Sequence, residues 1–411
     1  MGVDEFYQFL ISHTPTHTDN PVETIIEDFQ VNSLPIKKFV NEFWTSRQRQ
    51  SNSLHEISYR ACFKAQLPNF FITKLTSPED LVYDPFGGRG TTIIEANLRS
   101  RRGVSNDINP LSSILTKPRL APPEIHEIAD RLNKIEFDKT KSSDFDLSMF
   151  YHKDTEGEIV SLRHYLNSRS DEGISDTIDD WIRMVATNRL TGHSKGFFSV
   201  YTLPPNQATS QKNQHKINIR RKQLPEYRNI KELILRKSSS LLKGTSKEQR
   251  LKLKENAVYQ RLCIEDARHV SQINDETVKL IVTSPPFLDI VNYKDDNWLR
   301  CWFNSIDLEE ISKKLTVLSS LDKWIDFMQE VFLDLYRVTK IGGWVAFEVG
   351  EVRKGKIKLD EYIAPVGEKA GFNLFGIIIN KQNFTKTSNI WGINNNEAGT
   401  NTNRIVVFYK E

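Results

Sequence analysis

One glycine-rich stretch limits the folds open to this chain more than any other feature. Residues 78–120 contain the apolar run LVYDPF, then the glycines of GGRG, then TTIIEANLRS with helical periodicity, and finally RGVSNDINP. This order predicts a strand, a tight turn, a helix, a second strand and a second turn. Such a unit is half of a doubly wound sheet, so we expect an α/β fold of the Rossmann-like type.

The same alternation of strands and helices returns in residues 256–411. Its apolar runs are five or six residues long, as buried strands of one sheet would be: RLCIEDAR, VKLIVTSPPF, GGWVAFEVG, FNLFGIIIN and RIVVFYK. A helical stretch through 308–339 separates two of them. We therefore expect one discontinuous catalytic domain, formed by residues 51–120 and 256–411.

The remaining residues predict an insertion and an N-terminal segment. Residues 121–255 are expected to be mostly helix and loop, with short amphipathic helices around 123–136 and 174–190. Residues 1–50 look mixed and partly helical, and we expect them to form an N-terminal helical segment. The net charge of +3 hides an uneven distribution, because Lys195–Asn256 holds fifteen Lys or Arg against four acids, a local balance of +11 against −8 elsewhere. A basic insertion of this kind favours a polyanionic partner, although a solvated helix face would have the same composition.

Several classes of protein are not indicated. No apolar run is long enough to span a membrane, and the N-terminus lacks a secretory pattern. Cys62, Cys263 and Cys301 form no close-spaced pair, and neither of two His-Glu pairs completes a zinc motif. We expect a cytoplasmic protein with reduced thiols, no membrane contact and no bound metal.

The glycine-rich turn predicts a ligand site. Glycines let the backbone turn tightly and approach a ligand, and the helix that follows offers free N–H groups to a carboxylate. The candidate residues in this stretch are Asp84, Phe86, Gly88, Gly90 and Thr91. Two later acids extend the prediction. Asp107 follows the second strand, where an acid accepts ribose hydroxyls, or it forms a turn before Pro110. Asp266 follows the next strand and meets an adenine amino group, or caps a helix.

At these residues a resemblance becomes visible. DPFGGRGTTIIEA resembles the DPFxGxGTT signature of amino-methyltransferases that act on nucleic-acid bases, which implies S-adenosylmethionine as the cofactor. The preceding stretch, HEISYRACFKAQLPNFFITKL, is similar to one that packs over the methionine end of the cofactor in that family. The resemblance implies that Tyr59, Phe63 and Lys64 line the cofactor pocket, with an ordinary core position as the alternative for Phe63.

TSPPF, which follows the strand VKLIV, supplies what amine methylation needs. The lone pair of an aromatic amine is delocalised, so acceptors must draw its N–H groups towards a tetrahedral arrangement as the methyl group arrives. Ser284 offers a side-chain oxygen and Pro285 a carbonyl, while Pro285 and Pro286 stiffen the loop. Phe287 offers a face on which a flipped base stacks. The alternative is a turn without chemistry.

TSPPF resembles the [DNS]PP[YFW] motif of the N4-cytosine and N6-adenine DNA methyltransferases. Within that family, Ser at the first position is more typical of cytosine N4. Carbon-5 methylation is not indicated, because that reaction needs a cysteine nucleophile and the chain has no Pro-Cys pair. Two alternatives stay open besides adenine N6: an RNA base methyltransferase of the tRNA guanine-N2 type, and a DNA-binding module without activity.

The order of the two motifs resembles the class whose target-recognition region lies between them. This implies double-stranded DNA as the partner and, as in restriction-modification systems, a cognate endonuclease. The insertion offers phosphate contacts from Lys212, Lys216, Arg220, Arg221 and Lys222. Its amides Gln207, Gln211, Asn213, Gln214 and Asn218 are candidates for reading base edges, with a solvated loop as the alternative. Near the C-terminus, Trp391, Asn395 and Arg404 either border a DNA cleft or belong to an Asn-rich hairpin.

Overall fold

The computed structural model describes most of the chain: residues 1–15, 23–31, 34–44, 51–59, 62–202, 209–286, 293–314, 320–352, 357–381 and 402–411. The helices are α1 (Val3–Ile11), α2 (Gln66–Leu75), α3 (Thr91–Leu98), α4 (Leu111–Leu120), α5 (Ile125–Lys134), α6 (Lys153–Asp171), α7 (Thr177–Arg189), α8 (Gln211–Arg221), α9 (Ile230–Leu242), α10 (Lys247–Ala257), α11 (Tyr293–Phe303), α12 (Leu308–Lys314), α13 (Leu321–Val338) and α14 (Leu359–Lys369).

The strands are β1 (Ile25–Val31), β2 (Leu34–Asn41), β3 (Leu81–Asp84), β4 (Arg102–Asn106), β5 (Gln260–Cys263), β6 (Val278–Thr283), β7 (Thr339–Val349), β8 (Glu351–Val352), β9 (Ile357–Lys358), β10 (Asn373–Lys381) and β11 (Thr402–Tyr409). Nine of them form one sheet in the order β1-β2-β10-β11-β7-β6-β3-β4-β5, and β8 pairs only with β9. The predicted α/β, Rossmann-like class is confirmed.

The centre of the sheet is parallel. β5, β4, β3, β6 and β7 run in one direction, whereas β11 is antiparallel to both β7 and β10. Going outward from β3, the chain continues through β4 and β5 on one side and through β6 and β7 on the other. The strand order therefore reverses between β3 and β6, and ligands of open α/β sheets bind outside the carboxyl ends of the strands at such a point.

Alternating side chains build a core on each face of the sheet. On one face, Tyr83 and Ile281 pack with residues of α13 and α14. On the other face, Val82 and Leu280 pack with residues of α1 and α2. Because β3 and β6 are covered on both sides, their runs are continuously apolar rather than alternating, as the sequence pattern predicted.

A third core belongs to the insertion. Buried side chains of α5, α6, α7 and α9 pack together and reach α3 and α4 beside the sheet. The predicted helices around 123–136 and 174–190 correspond to α5 and α7. The N-terminal segment differs from the expectation of a helical unit, because after α1 it forms β1 and β2, and β2 joins the main sheet beside β10. The division into a catalytic domain and a recognition insertion stays a proposal.

Among the described residues, none of the helices combines the length and the apolar composition that a membrane crossing requires.

Candidate active site

The glycine-rich turn lies at the carboxyl end of β3 and leads into α3. Gly88 has φ +51° and Gly90 has φ +74°, a left-handed backbone that side chains other than glycine disfavour. A Cβ at Gly90 would lie 2.4 Å from the side chain of Thr116. In the described part of the chain, no side chain caps α3. The first N–H groups of α3 are therefore available to a ligand, as the sequence predicted.

Two carboxylates lie beside this turn: Asp84 is buried and Asp107 is half-buried. Asp107 accepts hydrogen bonds from the Gly88 N–H (2.8 Å) and from the Asn109 N–H (2.9 Å), so it forms the predicted turn and also fixes the glycine loop. Asp84, at the end of β3, accepts from the Phe86 N–H at 3.1 Å. Burial raises the pKa of each carboxyl to about 6. Because burial disfavours the ionised form of each carboxyl, that form needs nearby hydrogen-bond donors to stabilise it.

Residues 54–59 and 62–63, here called the strap, cross over the turn. A Cβ at Gly88 would lie 3.5 Å from Cε1 of Tyr59, so the buried Tyr59 ring lies against the glycine. Phe63 is half-buried and packs partly against the core, and the side chain of Lys64 is exposed. Of the three residues that the resemblance assigned to this pocket, the structure brings Tyr59 onto the turn.

Two arginines hold the strap through its carbonyl groups. Arg89, inside the glycine turn, donates to the carbonyl oxygens of Ile57 (2.9 Å) and Phe63 (3.1 Å). Arg119, wholly buried in α4, donates to the carbonyl of Leu54 at 3.0 Å and also to that of Arg89. Burial and the neighbouring Arg89 lower the pKa of Arg119 to about 9. The turn and the strap thus form one hydrogen-bonded unit.

The predicted adenine end has a different arrangement. Asp266 follows β5 and pairs with Arg268 at 2.7 Å, and it also accepts from the Arg268 N–H at 2.9 Å. Arg268 lies over the ring of Phe327, whose centroid is 6.5 Å from that of the half-buried Phe86. An adenine role for Asp266 therefore requires that its carboxylate be shared with Arg268, and it stays a prediction.

The proline-rich loop begins next to the glycine turn, as expected from their places after adjacent strands. Thr283 Oγ1, at the end of β6, donates to Asp84 Oδ1 at 2.6 Å. Thr92 Oγ1, in the first turn of α3, donates to the carbonyl of Val282 at 3.0 Å. The two motifs are far apart in sequence, yet direct hydrogen bonds join them at one edge of the sheet.

Each described residue of the loop has a defined environment. Ser284 is half-buried and its hydroxyl hydrogen-bonds to Glu348, while Pro285 is buried. The carbonyl oxygen of Pro286 accepts a 3.0 Å hydrogen bond from the indole of Trp324. Phe287, the predicted stacking residue, lies outside the described residues.

Glu348 is a site residue that the sequence reasoning missed. It lies near the end of β7, next to β6, and it is 8% exposed. Burial raises the pKa of its carboxyl to about 7, although hydrogen bonds from Asn403 and Ser284 act in the opposite direction. The sequence does offer one signal, an acid near the end of the apolar run GGWVAFEVG. Because burying a carboxylate costs free energy, an acid in such a run indicates a functional position.

The predicted DNA-contacting cations lie on and just after α8. All five have exposed side chains: Lys212, Lys216, Arg220, Arg221 and Lys222. Within the described part of the chain, none of them forms an ion pair with an acid, although Arg221 stacks on Tyr201. Just before α8, the carbonyl of Thr209 accepts a 3.2 Å hydrogen bond from the indole of Trp298 in α11.

Some of the predicted base-reading amides are in the wrong place for that role. Gln214 is buried and donates to the carbonyl of Tyr201, and Asn218 donates to that of Met149. Gln211 donates to the carbonyl of Asp146, whereas Asn213 is exposed. Gln207, Trp391 and Asn395 lie outside the described residues.

Arg404 does not border a cleft. It is buried in β11 and pairs with Asp360 at 2.6 Å, so its role is in the core.

The residues at this edge of the sheet fit S-adenosylmethionine. Oδ2 of Asp84 is buried and has no hydrogen-bond partner among the residues described, and the carboxylate of Asp107 retains lone pairs for hydroxyl donors. Gly88 carries no side chain that would fill the space above the turn. A glycine turn of this shape at the reversal of a parallel sheet, with the proline-rich loop beside it, is the arrangement expected of a methyltransferase that uses S-adenosylmethionine.

Comparisons with known proteins support the resemblance seen in the sequence. Residues 10–113 match the family model for N6/N4 methyltransferases, described as DNA methylase. The chain is 40% identical over 80 residues to the type II methyltransferase M.PvuII of Proteus hauseri, which covers 19% of this chain and 24% of that protein. It is 21% identical over 285 residues to the type II methyltransferase M.BsoBI of Geobacillus stearothermophilus, covering 64% of this chain and 55% of that protein. These matches confirm the resemblance to the N4/N6 amino-methyltransferases of DNA over the matched stretches.

In neither case does the matched stretch reach two thirds of the relative's length. Among solved structures, a DNA modification methylase of Thermus thermophilus in complex with S-adenosyl-L-methionine is similar over 35% of this chain and 53% of that chain, at 22% identity and a TM-score of 0.23.

Proposed function

We propose that this protein transfers a methyl group from S-adenosylmethionine to an exocyclic amine of a base in double-stranded DNA, with N4 of cytosine as the target. The observation that carries the proposal is the 2.6 Å hydrogen bond between Thr283 and Asp84. It joins the strand end that carries the amine-binding loop to the strand end that carries the glycine turn. A methyl donor held at one of these positions therefore lies next to an amine held at the other.

The chain's own residues would hold the cofactor in a defined orientation. The N–H groups at the start of α3 suit its carboxylate, and Asp107 suits its ribose hydroxyls. Tyr59 closes the space over Gly88, and Phe86 offers an apolar surface. When bound, the cofactor supplies an electrophilic methyl group on a sulfonium.

The proline-rich loop would hold the amine. The carbonyl of Pro285 and the hydroxyl of Ser284 accept its two N–H groups, which localises the nitrogen lone pair towards the methyl group. When Glu348 is ionised, it accepts a hydrogen bond from the Ser284 hydroxyl, which leaves the Ser284 lone pairs for the amine. Phe287 stays the proposed stacking surface for a base flipped out of the duplex. Ser284 favours cytosine, by the resemblance to the cytosine-N4 members of the family.

The exposed face of α8 is the proposed DNA contact. Its cations have no acidic partner among the described residues, so their charge is available to phosphates. The hydrogen bond from Trp298 to Thr209 links α8 to the helix that follows the proline-rich loop. We propose that a duplex bound on α8 extends from there to the site. We further propose a place in a restriction-modification system, with a cognate endonuclease as the functional partner and the cytoplasm, where cellular DNA is found, as the location.

Methyl transfer with a tritiated cofactor tests the proposal. The protein is incubated with DNA or with tRNA, and the labelled nucleosides are separated after digestion. We expect label in DNA only, as N4-methylcytosine. Label as N6-methyladenine would correct the base, and label only in tRNA would refute the proposed substrate.

Ser284→Ala provides the matched variant for this assay. It should bind the cofactor like the wild type and lose turnover, because only the acceptor for the amine is removed. Wild-type turnover by this variant would contradict the role assigned to Ser284.

A further inference from the structure

The carbonyl of Pro286 is held by a residue from a distant part of the chain. Trp324 lies in the first turn of α13 and is completely buried, and its indole Nε1 donates to this carbonyl at 3.0 Å. The helix start is fixed in turn, because the side chain of Ser320 accepts from the Lys323 N–H. The ring packs among core side chains that include Met328 and Val331. The donor therefore has little freedom to move away from the loop.

The proline-rich loop needs hydrogen bonds from other parts of the chain to fix its backbone. Proline lacks an N–H group, so Pro285 and Pro286 offer only carbonyl groups through which the protein can fix their backbone. Because both φ angles are set by the rings, the ψ angle of Pro285 decides where the Pro285 carbonyl points. Holding Ser284 on one side and the Pro286 carbonyl on the other restricts that single torsion.

We propose that Trp324 is a positioning residue for methyl transfer, and this inference rests on the proposed function. Its indole N–H fixes Pro286 on one side of Pro285 in the chain, and Glu348 fixes Ser284 on the other. Between these two points lies the Pro285 carbonyl, which accepts the target amine. Trp324 touches neither cofactor nor base, and it acts by keeping that carbonyl in the reactive direction.

The full-length protein with 3-benzothienylalanine at position 324 separates this role from packing. The analogue keeps the bicyclic shape and replaces the N–H with sulfur, so the core stays filled while the hydrogen bond is lost. Trp324→Phe is a second variant without the donor. Trp344→Phe is the matched control, since Trp344 is equally buried but lies in β7 and packs on the other face of the sheet.

We expect both Trp324 variants to lose roughly tenfold or more in kcat, because small displacements of a reacting group are costly. The KM for the cofactor should stay unchanged. Trp344→Phe should keep the wild-type kcat per folded molecule. A benzothienylalanine variant with the wild-type kcat would overturn the inference while leaving the proposed function intact.

Exchange of the indole hydrogen gives a readout that needs no activity. With ¹⁵N-labelled tryptophan, the Nε1 resonance of Trp324 is the one missing from Trp324→Phe. In the wild type it should exchange slowly with deuterated solvent, because it is buried and bonded. Fast exchange would overturn the inference. A wild type that methylates neither DNA nor RNA would instead refute the proposed function, and this inference with it.

Discussion

Replacing Glu348 with Gln tests how the Ser284 hydroxyl is oriented so that its lone pairs face the amine. The Ser284 hydroxyl hydrogen-bonds to a carboxyl whose pKa is raised by burial from 4.5 to about 7. When the carboxylate is ionised, Ser284 must donate to it, and its lone pairs face the amine. When the carboxyl is protonated, it competes as a donor, and the Ser284 proton is free to point at the amine. Activity should therefore follow the ionisation of Glu348.

The raised pKa sets the size of two effects. At pH 6 about a tenth of the carboxyl groups are ionised, so kcat of the wild type should fall roughly tenfold from its plateau above pH 8. Because the folded pKa lies above the unfolded pKa, ionisation weakens the fold. The loss is absent below pH 4.5, grows between pH 4.5 and about 7, and reaches roughly 3 kcal/mol above that range.

The variant Glu348→Gln should show neither dependence. Its kcat at pH 8 should be about 5- to 30-fold below that of the wild type, since a hydrogen bond to a neutral amide is weaker by about 1–2 kcal/mol than one to a carboxylate. The free energy of unfolding of the variant minus that of the wild type should be larger at pH 8.5 than at pH 5.

Single-turnover methyl transfer from pH 6 to 9 and urea unfolding at both pH values measure these effects. Glu255→Gln, at an exposed position in α10, is the control. Identical pH profiles for the wild type and Glu348→Gln would refute the reasoning.

Three further variants test the cofactor turn, the strap and the DNA surface. Gly90→Ala should weaken cofactor binding in calorimetry and lower stability by about 1–2 kcal/mol or more, because its φ is +74° and its new Cβ would meet Thr116; unchanged affinity would contradict this. Arg119→Met leaves buried carbonyls unpaired, so unfolding in urea should cost about 1–3 kcal/mol less for each of them, and a fully stable variant would disprove the hold on the strap. The double change Lys216→Glu and Arg220→Glu should weaken DNA binding in fluorescence anisotropy and reduce its salt dependence, whereas Lys252→Glu, whose charge is already paired with Glu248, should have a small effect.

The parts of the site that could be predicted from the sequence are those formed by short contiguous motifs. The runs that became β3 and β6 are continuously apolar and each ends in a motif, so their place at one sheet edge followed from the topology of parallel sheets. Glu348 could not be found in this way, because its partner Ser284 lies far earlier in the chain and the contact exists only after β6 and β7 pair. Trp324 was hidden for the same reason.

The errors in the insertion have a different cause. Residues 192–228 are rich in polar and turn-forming residues, a composition that predicts accessible amides. The spacing of Gln214, Ile217 and Asn218 is that of one helix face, and α8 turns this face inward. Polar residues at helical spacing can therefore bury their hydrogen bonds, as Gln214 and Asn218 do. In the N-terminal segment, β1 is almost entirely exposed, so its sequence lacks the regular apolar alternation that indicates a strand.

The most direct test of the central claim is a crystal structure with S-adenosylhomocysteine. We predict that the ligand's carboxylate lies at the start of α3, its ribose at Asp107, and its sulfur directly opposite Ser284 and the Pro285 carbonyl. A ligand bound elsewhere, or one whose sulfur is separated from Ser284 by protein, would contradict the account.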